Sequence, residues 1–381
     1  MNNKYNYIVL TIILCAFLFG CAKVEDNGEK SNTNDDKNSV KYEFSFKYKE
    51  LSDVSPFVYN SIIMKRYAIG IDLGGTKIMI TLVNKETGEV LGSVKKKTKK
   101  DKGPKNIIRK MIEGIEELME ETSVEKSEIS SIGIGAAGQV DRENGILIGA
   151  PNLDCYDLPI KDLIFEHFQI PVYLGNDVEI ATMGEMKFGA GKDCDDFVCV
   201  FVGTGVGSAI VKNGQIIKGA TGTAGEIGHI IVDLNGRPCA CGGHGCLEAY
   251  ASRSAIEKRI EGALRKGRYS VILDYLEDGK SITSSMIRKS LERDDELVKS
   301  CVDEASEYLS GGIASIINFV NPKLVVLGGG LIEAVDYFYQ RTIKKAKAKS
   351  LPVPAQKIEF AKAMLGDFSG VIGAAFLEDR K

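Results

Sequence analysis

The chain has 381 residues, 44% of them hydrophobic and 27% charged, the balance of a soluble globular protein long enough for two domains with cores of their own. With 49 basic residues against 52 acidic, the formal charge is −3, which argues against a polyanion partner such as nucleic acid. Nine cysteines is an odd count, and three of them crowd into residues 239–246, so thiolate metal ligation is favoured over a secreted disulfide framework.

The opening text differs from the rest. Residues 1–21 carry an apolar run ending in "LFGC", too short for a comfortable membrane span and fitting a secretory signal. The ending resembles a bacterial lipoprotein signal, in which Cys21 would be lipidated. Residues 22–63 begin with a stretch of Asn, Asp, Lys, Glu and Ser that cannot bury a core, and read as a polar tether or an unrelated stub.

From Met64 the pattern changes. "RYAIGIDLGGTKIMITLVN" (66–84) reads as two β-runs joined by a glycine turn, and 88–98 as a third strand. Apolar side chains at 108, 111, 112, 115, 118 and 119 form the stripe of an amphipathic helix. "ISSIGIGAAGQV" is a strand entering a glycine turn, "PVYLGND" (171–177) another buried strand, and "VEIATMGEMKFG" a helix. The order then repeats: "DFVCVFVGTGVGSAIVKNGQIIKG" is strand, glycine turn, strand, Asn213-Gly214 hairpin, strand. A helix over "EASEYLSGGIASIINFV" leads into the strand "KLVVLGGG". Two halves of similar order predict two α/β domains around a cleft.

The chemistry begins at the two glycine turns. Asp72 ends a strand and is followed by Gly74, Gly75, Thr76 and Lys77; Gly203, Thr204 and Gly205 supply the same parts in the second half. Glycines there allow positive φ and let backbone N–H groups approach a phosphate, and the threonine adds a hydroxyl donor. Two matched turns in duplicated halves could clamp one polyphosphate from both sides. Neither is the G-x-x-x-x-G-K-[ST] loop. In "AGEIGHIIVDLNGRPCACGGHGCLEAY" (224–250), Cys239, Cys241 and Cys246 with His229 offer a closed Cys3His set that suits a tetrahedral structural Zn²⁺. By spacing alone a redox pair stays open, and His244 is the local substitute for His229, otherwise facing solvent. Asp177, at a strand end before a helix, reads equally as an N-cap or as a functional carboxylate.

Together "DLGGTK" (72–77), "GTGVG" (203–207), "EIGH" (226–229) and "CACGGHGCLEAYAS" (239–252) resemble the ROK family of repressors, open reading frames and sugar kinases. "PNL" (151–153), "GND" (175–177), "NPKLVVLGGG" (321–330) and "GDFSGVIGAAFL" (366–377) extend the resemblance in order to the C-terminus. It implies a two-domain actin/hexokinase-like (ribonuclease-H-like) α/β fold, with sugar and ATP meeting in the interdomain cleft. On that reading Asp177 is the general base for a sugar hydroxyl, and Gly138, Asn152, Asn176, Glu226, His229 and Glu248 meet the sugar. Asp72 serves Mg²⁺, directly or through water, as phosphoryl transfer requires. Gly328, Gly329 and Gly330 lie near the adenosine. Lys77 is equally a phosphate contact or a surface lysine. Zinc held by His229, Cys239, Cys241 and Cys246 is the scaffold that fixes the segment carrying Glu226 and Glu248.

The expected function is therefore ATP-dependent phosphorylation of a hexose, glucose first. N-acetylglucosamine, N-acetylmannosamine, mannose or fructose are the alternatives. A sugar-responsive repressor is disfavoured, because residues 1–63 show no helical pair and no basic recognition helix. The expected domains are 64–177, completed by 367–381, and 178–366 with the zinc segment 226–248. A homodimer or homotetramer is the expected assembly. The signal conflicts with a need for ATP, so the working enzyme is expected to be cytoplasmic and to start near Met64. The rival is a membrane-anchored lipoprotein that only binds sugar.

Overall fold

The hydrophobic pattern of the first half folds into a sheet of order β3-β2-β1-β4-β8 in this computed structural model, which describes residues 65–98, 103–276 and 281–379. These residues lie within one compact unit, Ser55–Lys381. β1 (Tyr67–Leu73), β2 (Lys77–Asn84) and β3 (Val90–Lys97) pair antiparallel; β4 (Ile129–Ala136) joins β1 in parallel. A small antiparallel sheet follows, made of β5 (Gln139–Asp141), β6 (Ile146–Ala150) and β7 (Cys155–Leu158). β8 (Val172–Asn176) then closes the main sheet in parallel with β4. Helix α1 (Pro104–Thr122) turns its predicted stripe inward: Ile108, Met111, Ile115 and Leu118 are buried with Ile69, Ile71, Ile78 and Ile80. Helix α2 (Ile160–Phe168) adds Ile160, Ile164 and Phe168 to the same core, and α3 (Asp177–Phe188) follows β8 directly.

The second half repeats the plan. β9 (Phe197–Val202), β10 (Val206–Lys212) and β11 (Gln215–Ile216) are antiparallel, and β12 (Leu324–Gly328) and β13 (Glu359–Lys362) add in parallel, giving the order β11-β10-β9-β12-β13. Asn213 and Gly214 both take positive φ, 52° and 69°, as the two-residue hairpin requires. Helices α4 (Glu248–Ala251), α5 (Arg253–Arg265), α6 (Ser284–Leu291), α7 (Glu296–Val320), α8 (Gly330–Ala334), α9 (Asp336–Lys349) and α10 (Pro352–Lys357) complete the second half. The expected helix over 304–320 in fact starts at Glu296, because Asp295 caps it by accepting from the Val298 N–H at 2.9 Å.

The last helix, α11 (Ser369–Ala375), leaves the second sheet and returns to the first, where it lies against β1, β4 and α3. It comes so close that side chains are excluded. A Cβ on Gly133 would sit 1.8 Å from the Ala374 carbonyl oxygen, and one on Gly373 would sit 1.7 Å from that of Ile180. No helix among the described residues is long and apolar enough to cross a membrane. The signal-like segment 1–21, the stretch 22–63 and the start at Met64 lie outside the described residues.

Candidate active site

The first glycine turn joins β1 to β2. The Gly74 N–H donates to the Lys77 carbonyl at 3.0 Å, and buried Thr98 braces the turn, its hydroxyl donating to the Gly74 carbonyl at 2.7 Å. Contrary to expectation, neither Gly74 nor Gly75 has a left-handed φ, and neither do Gly203 and Gly205. Gly75 and Gly203 leave open space, whereas Gly74 and Gly205 lie close to neighbouring atoms. A Cβ on Gly75 would meet nothing nearer than Asn152 at 3.6 Å, and one on Gly203 or Gly330 would meet nothing within 4 Å. Thr76 is exposed, and Lys77 pairs with Asp367 at 2.8 Å.

The second turn is tied to the helices behind it. Arg253, at the start of α5, donates its backbone N–H to the Gly203 carbonyl at 2.9 Å and an Nη2 hydrogen to the Thr204 hydroxyl at 3.1 Å. The Val206 N–H donates to Glu248 Oε2 at 2.9 Å, and a Cβ on Gly205 would collide with that oxygen at 2.3 Å. Gly329 alone of the third glycine group is left-handed, at φ 89°; a Cβ there would lie 2.7 Å from the Val202 carbonyl oxygen. Gly328, Gly329 and Gly330 therefore stand beside the second turn.

Asp177 lies near the carboxylates of Asp72 and Glu226. The N-cap of α3 is Asn176, whose Oδ1 accepts from the N–H groups of Val178 (2.9 Å) and Glu179 (3.3 Å) and whose Nδ2 donates to the Gly138 carbonyl at 3.1 Å. Asp177 is thus the first helical residue rather than the cap, and its own Oδ1 also accepts from the Val178 N–H at 3.0 Å. Val178 beside it packs on Gly207, just past the second turn. Burial pushes the Asp177 carboxyl up to about 6, with the neighbouring charge of Asp72 adding to the effect and hydrogen bonds from the Val178 and Asp177 N–H groups opposing it. Burial likewise lifts Asp72 to about 6, against the pull of Lys77. Glu226 is also raised by burial, with His229 pulling it down and Glu248 pushing it up. A cavity of about 280 Å³ is lined by Gly138, Asn176, Glu226, Arg142 and Glu179 among others. Arg142 and Glu179, paired at 2.9 Å, were not foreseen. Their signal was missing because 37 residues separate them.

The cysteine segment converges on one point. His229, Cys239, Cys241 and Cys246 bring one ligand atom each to within 4.8 Å of one another. Cys239 Sγ lies 3.8 Å from His229 Nδ1, and the Cys241 and Cys246 sulfurs are 3.7 Å apart. A tetrahedron with Zn–S bonds of about 2.3 Å has S–S edges of about 3.8 Å, so the donor set fits that ion. His244 is not in the group. Glu248 joins this cluster to the second turn: its Oε1 is 4.0 Å from Cys239 Sγ while its Oε2 holds Val206.

The ROK family profile matches residues 68–381. The chain is 35% identical to a glucokinase of Halalkalibacterium halodurans over 82% of this chain and 94% of that one. It is 28% identical to a xylose repressor of Caldicellulosiruptor bescii, over 80% of this chain and 76% of that one. Among solved structures, a ROK family glucokinase from Streptomyces griseus in complex with glucose and AMPPNP superposes with a TM-score of 0.72 at 30% identity, covering 82% of this chain and 98% of that one. The chain belongs to the ROK family, with an α/β fold of two mixed sheets.

Proposed function

We propose that the protein transfers the γ-phosphoryl group of ATP to the 6-hydroxyl of a hexose, glucose first, in the cleft between two lobes of an actin/hexokinase-like fold. Its glucokinase relatives make it a sugar kinase phosphotransferase. The observation that supports the reading is Asp177: half-buried, first in α3 behind the Asn176 cap, and near the carboxylates of Asp72 and Glu226, with Gly75 of the first turn and Gly203 of the second leaving open space. A carboxylate with its value near 6 is ionised at neutral pH yet basic enough to accept a proton. The hexose O6–H donates to Asp177 as its oxygen attacks phosphorus. Gly138, Asn152, Asn176, Glu226, His229 and Glu248 surround the ring. Gly74, Gly75, Thr76 and Lys77 take the phosphates from one side, Gly203, Thr204 and Gly205 from the other, and Gly328, Gly329 and Gly330 border the adenosine.

Mg²⁺, when bound, neutralises the charge of the transferring phosphoryl group. Asp72 is the residue to hold it, directly or through water, because among the described residues Lys77 is the cation that offsets its half-buried carboxylate. Zn²⁺ on His229, Cys239, Cys241 and Cys246 would fix the loop between Glu226 and Glu248 without joining the reaction. The lobes are read as 64–177 with 367–381, and 178–366. A homodimer or homotetramer working in the cytoplasm completes the reading. The test is a panel of hexoses and N-acetylhexosamines with ATP and Mg²⁺. Glucose should give the highest kcat/KM; an N-acetylhexosamine ahead of it would move the assignment, and turnover of none would refute it.

A further inference from the structure

A buried carboxylate far from the proton transfer holds the chain where it crosses between lobes. Glu185, in the third turn of α3, has no exposed surface. Its Oε1 accepts from the Met364 N–H (3.1 Å), the Leu365 N–H (3.0 Å) and the Ser369 hydroxyl (2.9 Å). Its Oε2 accepts from the N–H groups of Ala190 (2.9 Å) and Met364 (3.0 Å). All of these donors are neutral. Room for the group is reserved by Gly189, where a Cβ would lie 2.1 Å from Oε2.

The segment it grips is the crossing itself. The Ala363 N–H is still bonded to the Leu327 carbonyl of β12 at 2.8 Å, in the second sheet. Met364 and Leu365 turn to Glu185. Asp367 then pairs with Lys77 at the first glycine turn, and α11 begins at Ser369 beside Asp72: a Cβ on Gly370 would be 3.5 Å from that carboxylate. Within seven residues the chain passes from the second sheet to the first turn, with α3 as the fixed rail. The same helix carries Asp177 at its start.

We propose that Glu185 is a positioning residue for phosphoryl transfer, clasping the crossing 364–369 to α3 so that the base and the first phosphate turn keep one geometry. This rests on the kinase reading of the cleft. Glu185→Gln preserves size but turns an N–H₂ group toward N–H donors, so one side of the clasp opens. The expected result is a tenfold or greater fall in kcat, with KM for glucose within twofold, because no sugar contact is altered. Amide exchange at Met364 and Leu365 should speed at least tenfold at a temperature where the variant is fully folded. Glu185→Asp keeps the charge and should recover part of kcat; it also carries the comparison should the Gln variant fail to fold. Unchanged kcat, a loss that follows the folded fraction alone, or unchanged exchange at Met364 and Leu365 would overturn the proposal. If the wild-type protein phosphorylates no sugar, the kinase reading fails while the exchange arm still decides whether the clasp exists.

Discussion

Replacing the base should make the protein more stable as well as inactive. Asp177 titrates near 6 in the fold against 3.8 when unperturbed, so keeping it ionised at pH 7.5 costs the folded state about 3 kcal/mol. The folded value lies above the unfolded one, so the cost is absent well below 3.8, grows between 3.8 and 6, and is full above 6. At pH 4.5 it shrinks to about 1 kcal/mol. Asp177→Asn keeps an oxygen for the Val178 N–H, removes the charge, and relieves Asp72 as well. Differential melting without Mg²⁺ should therefore show Tm rising by roughly 3–6 °C at pH 7.5, with most of the gain gone at pH 4.5. Turnover should fall at least ~100-fold, the usual contribution of general-base catalysis. A variant that melts below wild type at pH 7.5, or one that keeps near wild-type turnover, would refute the reasoning.

Because the base must be ionised, kcat/KM should decline on the acid side with a midpoint near pH 6, reporting Asp72 and Asp177 as a pair; a midpoint near 4 would contradict the burial argument. Elemental analysis should find about one zinc per chain, lost in Cys241→Ser together with stability of residues 226–248 and glucose affinity; full activity and unchanged melting without metal would remove zinc from the scaffold. Fractionation of native cells with N-terminal sequencing should give a cytoplasmic chain starting near Met64, whereas lipidated Cys21 in membranes would establish the anchored form.

Local signals survived folding where neighbours in sequence are neighbours in space. Asn213-Gly214, the apolar stripe of α1 and the strand–turn–strand of β1 and β2 could all be read directly. The start of α7 was hidden because "ERDDELVKS" is polar enough to mask the helical period, and only the Asp295 cap marks it. The small sheet β5–β7 escaped because its strands are short and broken by turns. At the site, the cluster of His229 and the cysteines was legible as chemistry. What the glycines do was not, since room for a ligand is a property of the opposite walls. Thr98 on Gly74, Arg253 on Thr204 and Glu185 on Met364 join residues 24, 49 and 179 positions apart, beyond any window of sequence.

The bare-backbone seat of α11 bears on how the protein is made. Its carbonyls rest against β1 and β4, elements made roughly 300 and 240 residues earlier. At about 5–20 residues per second, β1 and β4 wait some 12–60 s with that face uncovered. Gly70 and Gly133, which leave space for the helix, expose only main chain there in the meantime. A nascent chain halted before Ser369 would therefore present an unfinished sheet to chaperones and proteases, and the fold is completed only once residues 369–375 have been made.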